Sequence, residues 1–213
     1  MIRKNLITVA VVLAVFLGGS HFALASVMTF NGTGLHSTVT IHADGTLADG
    51  KDVSAGQYLI SYEDIDYTSY CVDIDHYAGS GEVTELPIDA LNNGDMVAFL
   101  FETYSQDVQG NLDAAALGVA IWEVIYETSD NFDVTDGYFS ITGNSDVAEA
   151  ANDLLSTLPD NYETQWDMIV LHSQCIQDMI IPTSPIPEPA TLTVLTIGAL
   201  GLIIRRKRRT KTV

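Results

Sequence analysis

The chain has 213 residues, and its 28 Asp and Glu outweigh its 9 Lys and Arg to leave a formal net charge of −19. A body this anionic repels nucleic acid and anionic membrane surfaces, which excludes both as partners for the bulk of the chain. Aromatic and β-branched residues are too plentiful for a disordered acidic tail, so the acidic stretch reads as a folded domain.

The charge is lopsided. All the carboxylates lie between Asp44 and Glu188, and Lys51 is the only Lys or Arg between residues 5 and 204. The other basic side chains sit at the two ends. At the first end, Arg3 and Lys4 precede an apolar run over residues 6–17, and Ala23-Leu24-Ala25 supplies a small-x-small site. This is the pattern of a signal peptide, residues 1–25, cut by signal peptidase after Ala25. A permanent anchor is the alternative, but the apolar run is short and ends in Gly18-Gly19-Ser20.

Residues 26–184 are the right length for one domain that buries its own core. Residues 37–42, 57–62 and 67–74 alternate as half-buried strands, with turn signals at Asp44-Gly45, Asp49-Gly50 and Gly79-Ser80-Gly81. Helices follow. Asp95 is placed to cap residues 96–104 and Asp113 to cap residues 114–127, where Leu117, Ala120, Ile121 and Val124 repeat at i, i+3, i+4, i+7. Asp146 and Glu149 form a capping-box pattern ahead of a helix that stops before Pro159. Two further strands are expected at 166–171 and 175–181. The expected fold is α+β: a β-rich sandwich or barrel with a helical insertion over about residues 89–158, flanked by the signal peptide and a C-terminal transmembrane helix.

Cys71 and Cys175 are the only cysteines. In an exported chain an even pair points to a disulfide, and closing a loop of roughly 100 residues stabilises by about 4–5 kcal/mol in the chain-entropy model. Two free buried thiols are the alternative. Asp64 with Asp66, and Asp73 with Asp75, put carboxylate pairs at i, i+2, on one face if the chain is extended, and hard oxygen ligands suit calcium. In so acidic a chain a solvated face explains such pairs equally well, and the run from Asp130 to Gly137 misses the EF-hand spacing. No catalytic motif is present: His36, His42, His76 and His172 are scattered singly, and no nucleophile elbow, zinc helix or phosphate loop occurs. Carboxylate pairs for glycoside cleavage have no local signature.

After Pro185, the C-terminal segment carries Pro187-Glu188-Pro189 and then an apolar run that opens on Leu192 and closes on Ile204. Arg205, Arg206, Lys207, Arg208 and Arg209 follow. At about 1.5 Å per residue the run falls short of a hydrocarbon core roughly 30 Å thick, so it suits a temporary stop better than a permanent span. The basic cluster stays cytoplasmic, which leaves Pro187-Glu188-Pro189 just outside the membrane.

Residues 185–213 resemble the PEP-CTERM sorting signal recognised by exosortases. The resemblance implies a Gram-negative-type envelope, transient anchoring in the inner membrane, exosortase processing, and release to the cell surface or an exopolysaccharide matrix. The middle of the chain resembles the thioester domains of bacterial surface adhesins. Tyr70-Cys71-Val72-Asp73 and Ala120-Ile121-Trp122-Glu123 carry that likeness, with 53–58 and Gln177-Asp178 as supporting segments. In that family a cysteine is joined to a glutamine four residues before the tryptophan, and here that residue is Gly118. Glycine has no acyl group, so the resemblance implies a domain whose covalent chemistry is lost. A glycine inside a helix costs about 1 kcal/mol against alanine, which argues for a close approach by the Cys71 strand or the indole. The reading is a non-enzymatic adhesive or structural module. A calcium-dependent carbohydrate- or surface-binding adhesin and a polysaccharide-acting enzyme remain as alternatives, the last requiring two carboxylates that face one cleft.

Overall fold

In the computed structural model, which describes residues 26–129 and 131–183, seven strands and three α-helices follow one another in a mixed order. The strands are β1 (Ser26–Ala43), β2 (Lys51–Tyr62), β3 (Ile65–Cys71), β4 (Gly81–Pro87), β5 (Phe139–Thr142), β6 (Met168–His172) and β7 (Met179–Pro182). The helices are α1 (Gly94–Tyr104), α2 (Asn111–Tyr126) and α3 (Ser145–Leu155), with a 3-10 turn at Ile88–Ala90.

Every strand pairing is antiparallel. The order β2-β3-β7-β6-β4-β1 closes on itself because β1 also pairs with β2 along most of its length. Ser26–Met28 completes the ring against Glu82 and its neighbours in β4, and the other end of β1, Thr40 to Ala43, takes β5. Of the two expected architectures, the pairings are those of a barrel, whose closure leaves few edges.

The chain bends where its chemistry permits. The β2–β3 hairpin joins Tyr62 to Ile65 through Glu63 and Asp64, both at positive φ (51° and 63°), the left-handed pair of a two-residue hairpin turn. In β1 the register against β2 slips between Phe30 and Gly32 and again between Thr33 and His36. Gly56 sits opposite the second slip at φ 142°, where a Cβ would collide with the Leu35 carbonyl, so only glycine fits.

α2 forms the centre of the core. Every residue from Ala114 to Ile125 is buried, and the helix packs on β1 and β2 on one side and on α1 and α3 on others. The Leu117–Ala120–Ile121–Val124 stripe expected from the sequence is therefore one buried face among several, as in a helix that is apolar all round. The helices occupy the span expected for the insertion, with β5 embedded between them. Trp166 to Leu171 and Cys175 to Ile181 become strands only from Met168 and Met179 onward.

The expected caps are corrected. Asn93, left-handed at φ 51°, precedes α1, and its Nδ2 donates to the Val124 carbonyl at 2.8 Å, so Asp95 lies inside the first turn. Gly110 precedes α2, and Asp113 accepts from the Gln109 amide at 2.9 Å. Asn144, in place of the Asp146–Glu149 box, caps α3 by accepting from the Val147 amide at 3.3 Å.

Candidate functional site

β3 delivers Cys71 to the core, and α2 delivers Trp122 to meet it. The indole Nε1 donates to the Cys71 carbonyl at 2.9 Å, bridging residues 51 positions apart. The thiol is 1 % exposed; it donates to the Asp73 carbonyl at 2.8 Å and accepts from the Asp73 amide at 3.3 Å. Burial pushes the thiol well above its ordinary range, the bond to Asp73 opposing this only in part. A thiol so held is protonated, and a protonated thiol is a poor nucleophile.

The loop after Cys71 is fixed just as closely. The Asp73 carboxylate accepts from the Asp75 amide at 2.7 Å and pairs with His76 Nδ1 at 2.6 Å, while the Ile74 amide donates to the Tyr126 hydroxyl at 3.0 Å. The hydrogen bond to Asp73 raises the pKa of His76.

Gly118, one turn before Trp122, lies against β2. A Cβ built there would stand 3.0 Å from the Gly56 amide nitrogen and 3.5 Å from its Cα. A close approach is what the sequence implied, but the partner is the Ala55–Gly56 backbone and not the Cys71 strand or the indole. Two glycines from β2 and α2 face each other, and the space a glutamine side chain would need is filled by main chain.

The expected Cys71–Cys175 disulfide is not formed. Both thiols are free: Cys71 turns into the core at the end of β3, and Cys175 is exposed in the loop between β6 and β7. The shared extended face expected for the two carboxylate pairs is also corrected. Asp64 lies in a left-handed turn, so it and Asp66 do not share the face of an extended strand, and Asp66 accepts from the Ser61 hydroxyl. Asp73 and Asp75 stand in a bent loop at the opposite end of β3, with Asp75 accepting from the Leu47 amide at 3.0 Å. Among the described residues no three His, Cys, Asp or Glu side chains are placed to hold a metal.

A second cluster escaped the sequence reading. At the C-terminal end of α2, Glu127 accepts from four backbone amides, those of Thr128, Ser129, Tyr138 and Phe139. Burial works to raise its pKa, but these four donors outweigh it and the net shift is downward. Gly137, at φ 109°, leaves room for the carboxylate that a Cβ would displace. One turn earlier Glu123 is fully buried; its Oε1 accepts from the Asp133 amide at 2.8 Å and its Oε2 has no partner. Burial, aided by the Glu127 and Asp133 carboxylates, pushes its pKa up to about 8. The only sequence signal was the Asp-rich run 130–137, and the contacts that run makes with the two glutamates are through the backbone amide of Asp133 and the space left by Gly137, not through its carboxylates.

An open groove runs beside β4 and β6, lined by Glu85, Asp89, Asp95 and Asp167 together with Tyr162 and Trp166. The remaining sequence sites, Ala23, Ala25, Pro187, Glu188, Pro189, Leu192 through Ile204, and Arg205 to Arg209, lie outside the described residues. Among the described residues no helix is long and apolar enough to cross a membrane.

Comparison with known families decides the nature of the C-terminal segment. Residues 185–209 match the PEP-CTERM protein-sorting motif. The PEP-CTERM motif marks an exported surface protein that is transiently anchored in the membrane and processed by an exosortase. Neither the curated proteins nor the solved structures gave a significant match to the chain.

Proposed function

We propose that residues 26–184 form a non-enzymatic adhesive or structural module, similar to thioester domains but unable to make the bond, which the PEP-CTERM tag delivers to the cell surface or exopolysaccharide matrix. The observation that carries this reading is Gly118. It occupies the acyl position of the thioester pattern, is wedged against Gly56, and sits one turn from a tryptophan bonded to the Cys71 carbonyl. The contact between the Cys71 strand and the tryptophan supports the likeness, while the missing acyl group and the buried, protonated thiol support the loss of the bond.

The test is the mass of the exported protein. The mature chain is expected to lack residues 1–25 and the basic tail, to show no loss of ammonia, and to form no adduct with methylamine. Glu188→Ala is expected to leave uncleaved precursor in the inner membrane. A methylamine adduct at any glutamine would overturn the non-reactive reading, and a normally trimmed Glu188→Ala protein would overturn the sorting mechanism.

The groove lined by Glu85, Asp89, Asp95 and Asp167 favours a second reading, action on a polysaccharide. Such catalysis needs one carboxyl group as acid and another as base or nucleophile. Tyr62 already donates to Glu85 at 2.8 Å, which ties up one of the four. Release of reducing ends from bacterial exopolysaccharide, abolished in Asp167→Asn, would establish this second reading over the first.

A further inference from the structure

A cavity of about 80 Å³ opens beside the tryptophan of the candidate site. Ile41, Val53, Ile74 and Trp122 supply apolar wall, and Lys51, His76 and Gln177 supply polar groups. By the same measure one water needs about 10–15 Å³, so the cavity has room for about five to eight water-sized groups, ample for a small substituent such as an acyl amide.

Its walls are tied together before any ligand arrives. The Lys51 amide donates to the Ala48 carbonyl at 2.9 Å and the Gly50 amide to the Ile41 carbonyl at 2.8 Å. The Leu47 amide donates to Asp75, and the Gln177 amide donates to the Tyr77 carbonyl at 3.1 Å. Turn 44–50, the loop after β3 and the β6–β7 loop therefore form one rim, and little ordering is left to do on binding.

Two features of the lining are out of place for a passive surface. Lys51 is the only Lys or Arg between residues 5 and 204, yet among the described residues it makes no ion pair with any carboxylate. Its Nζ instead lies 5.9 Å from the centre of the Tyr77 ring, which is 69 % exposed at the rim. The other feature is Gln177, whose Oε1 is buried without a hydrogen-bond partner, an arrangement that carries a desolvation cost until something satisfies it. Rotation about the terminal bond presents either heteroatom of this amide to the cavity.

These groups together specify a ligand. An acyl oxygen suits the Lys51 ammonium, an amide N–H suits the Gln177 oxygen, and a methyl group suits the apolar wall. A formal anion is disfavoured by the surrounding charge, and Asp52, which also lines the cavity, adds to that. The exposed Tyr77 ring offers a flat face outside the cavity for the body that carries the substituent. We propose that this cavity binds the acetamido group of a neutral N-acetylated sugar, with the sugar ring lying over Tyr77. The proposal rests on the reading of the domain as a binding module; export and tail processing are independent of it.

The experiment titrates the full chain with N-acetylglucosamine, glucose and an N-acetyl-lysine peptide, using saturation-transfer NMR and tryptophan fluorescence. Expected are a millimolar Kd for N-acetylglucosamine, strongest saturation at the acetyl methyl, and at least tenfold weaker binding of glucose. Lys51→Met and Tyr77→Ala, both at exposed positions, are expected to weaken the sugar at least fivefold with an unchanged far-ultraviolet spectrum. Equal binding of glucose, unaltered affinity in Lys51→Met, or no binding of any probe overturns the site. Preferential binding of the acetyl-lysine peptide overturns the sugar assignment. Trimming of the tail, read by mass in the same preparations, reports on the delivery mechanism separately.

Discussion

Gly118→Ala is the sharpest test of how α2 is seated. Taken alone, the helix should welcome alanine, by about 1 kcal/mol relative to glycine. Against this stands one new methyl carbon 3.0 Å from the Gly56 nitrogen, several tenths of an ångström inside comfortable contact. β2 cannot withdraw to make room. It is hydrogen-bonded to β1 on one side and β3 on the other, and Gly56 itself is pressed against the Leu35 carbonyl and His36 Cα. Overpacking of a tight core costs about 1–3 kcal/mol, so the net change is a loss of up to roughly 2 kcal/mol after the helix gain is subtracted. Gly118→Gln adds the rest of a long side chain at the same point and is expected to cost more than Gly118→Ala while forming no thioester. Urea unfolding followed by tryptophan fluorescence measures both, with an unchanged slope expected for Gly118→Ala because the surface exposed on unfolding is the same. If Gly118→Ala instead gains about 1 kcal/mol, the contact with β2 is not a constraint and the steric account of this glycine fails.

Other consequences follow from the same contacts. Trp122→Phe keeps the ring but orphans the buried Cys71 carbonyl, and is expected to lose about 1–3 kcal/mol in the same unfolding assay. Glu127→Ala leaves four backbone amides without their acceptor, and is expected to expose 128–138 to proteolysis before the rest of the domain unfolds; equal resistance in mutant and parent would contradict the cradle. Glu123 keeps its proton in the folded state up to about pH 8, whereas the unfolded chain releases it near the ordinary value of 4.5. Its contribution is therefore fully present below pH 4.5, falls as pH rises across that window, and levels off above it; Glu123→Gln is expected to flatten this slope in unfolding curves taken between pH 5 and 8. Glu127 and Asp133, whose pKa values are lowered, act with the opposite sign, and their contribution is lost as the solution is acidified. A thiol reagent is expected to label Cys175 in the native protein and Cys71 only after denaturation.

The sequence conveyed elements whose signals are local. Residues 57–62 alternate cleanly and lie within β2, and the 3.6-residue repeat around Leu117 lies within α2. β4 was not legible because of its seven residues only Val83 is buried, and β5 because its alternation, Phe139 and Ile141 in, Ser140 and Thr142 out, lasts only four residues. The caps failed for a common reason. Asp95, Asp113 and Asp146 are good capping residues one or two places inside helices whose true starts were fixed by Asn93, Gly110 and Asn144. At the candidate site, the pairing of Cys71 with Trp122 was suggested by motif likeness, but their hydrogen bond depends on the crossing of β3 and α2. The disulfide expectation failed because counting cysteines carries no direction, and one of the two faces inward. The Glu123–Glu127 cradle was invisible because its partners are backbone amides, which every residue possesses.

The ring of strands also sets an order of events during export. β7, nearly the last part of the domain to emerge, does not add to an edge; it inserts between β3 and β6, pairing Cys71 with Met179 and Ile169 with Ile181. Until then the ring is open at that seam, with unpaired groups of β3 and β6 facing solvent, a template for the wrong partner. Pairings between residues more than a hundred positions apart are slow to form. The dense negative charge keeps such open chains apart during the wait. β7 ends at Pro182, three residues before the sorting motif begins at Pro185. Transient anchoring through that motif therefore acts on the chain only a few residues from the strand that closes the ring.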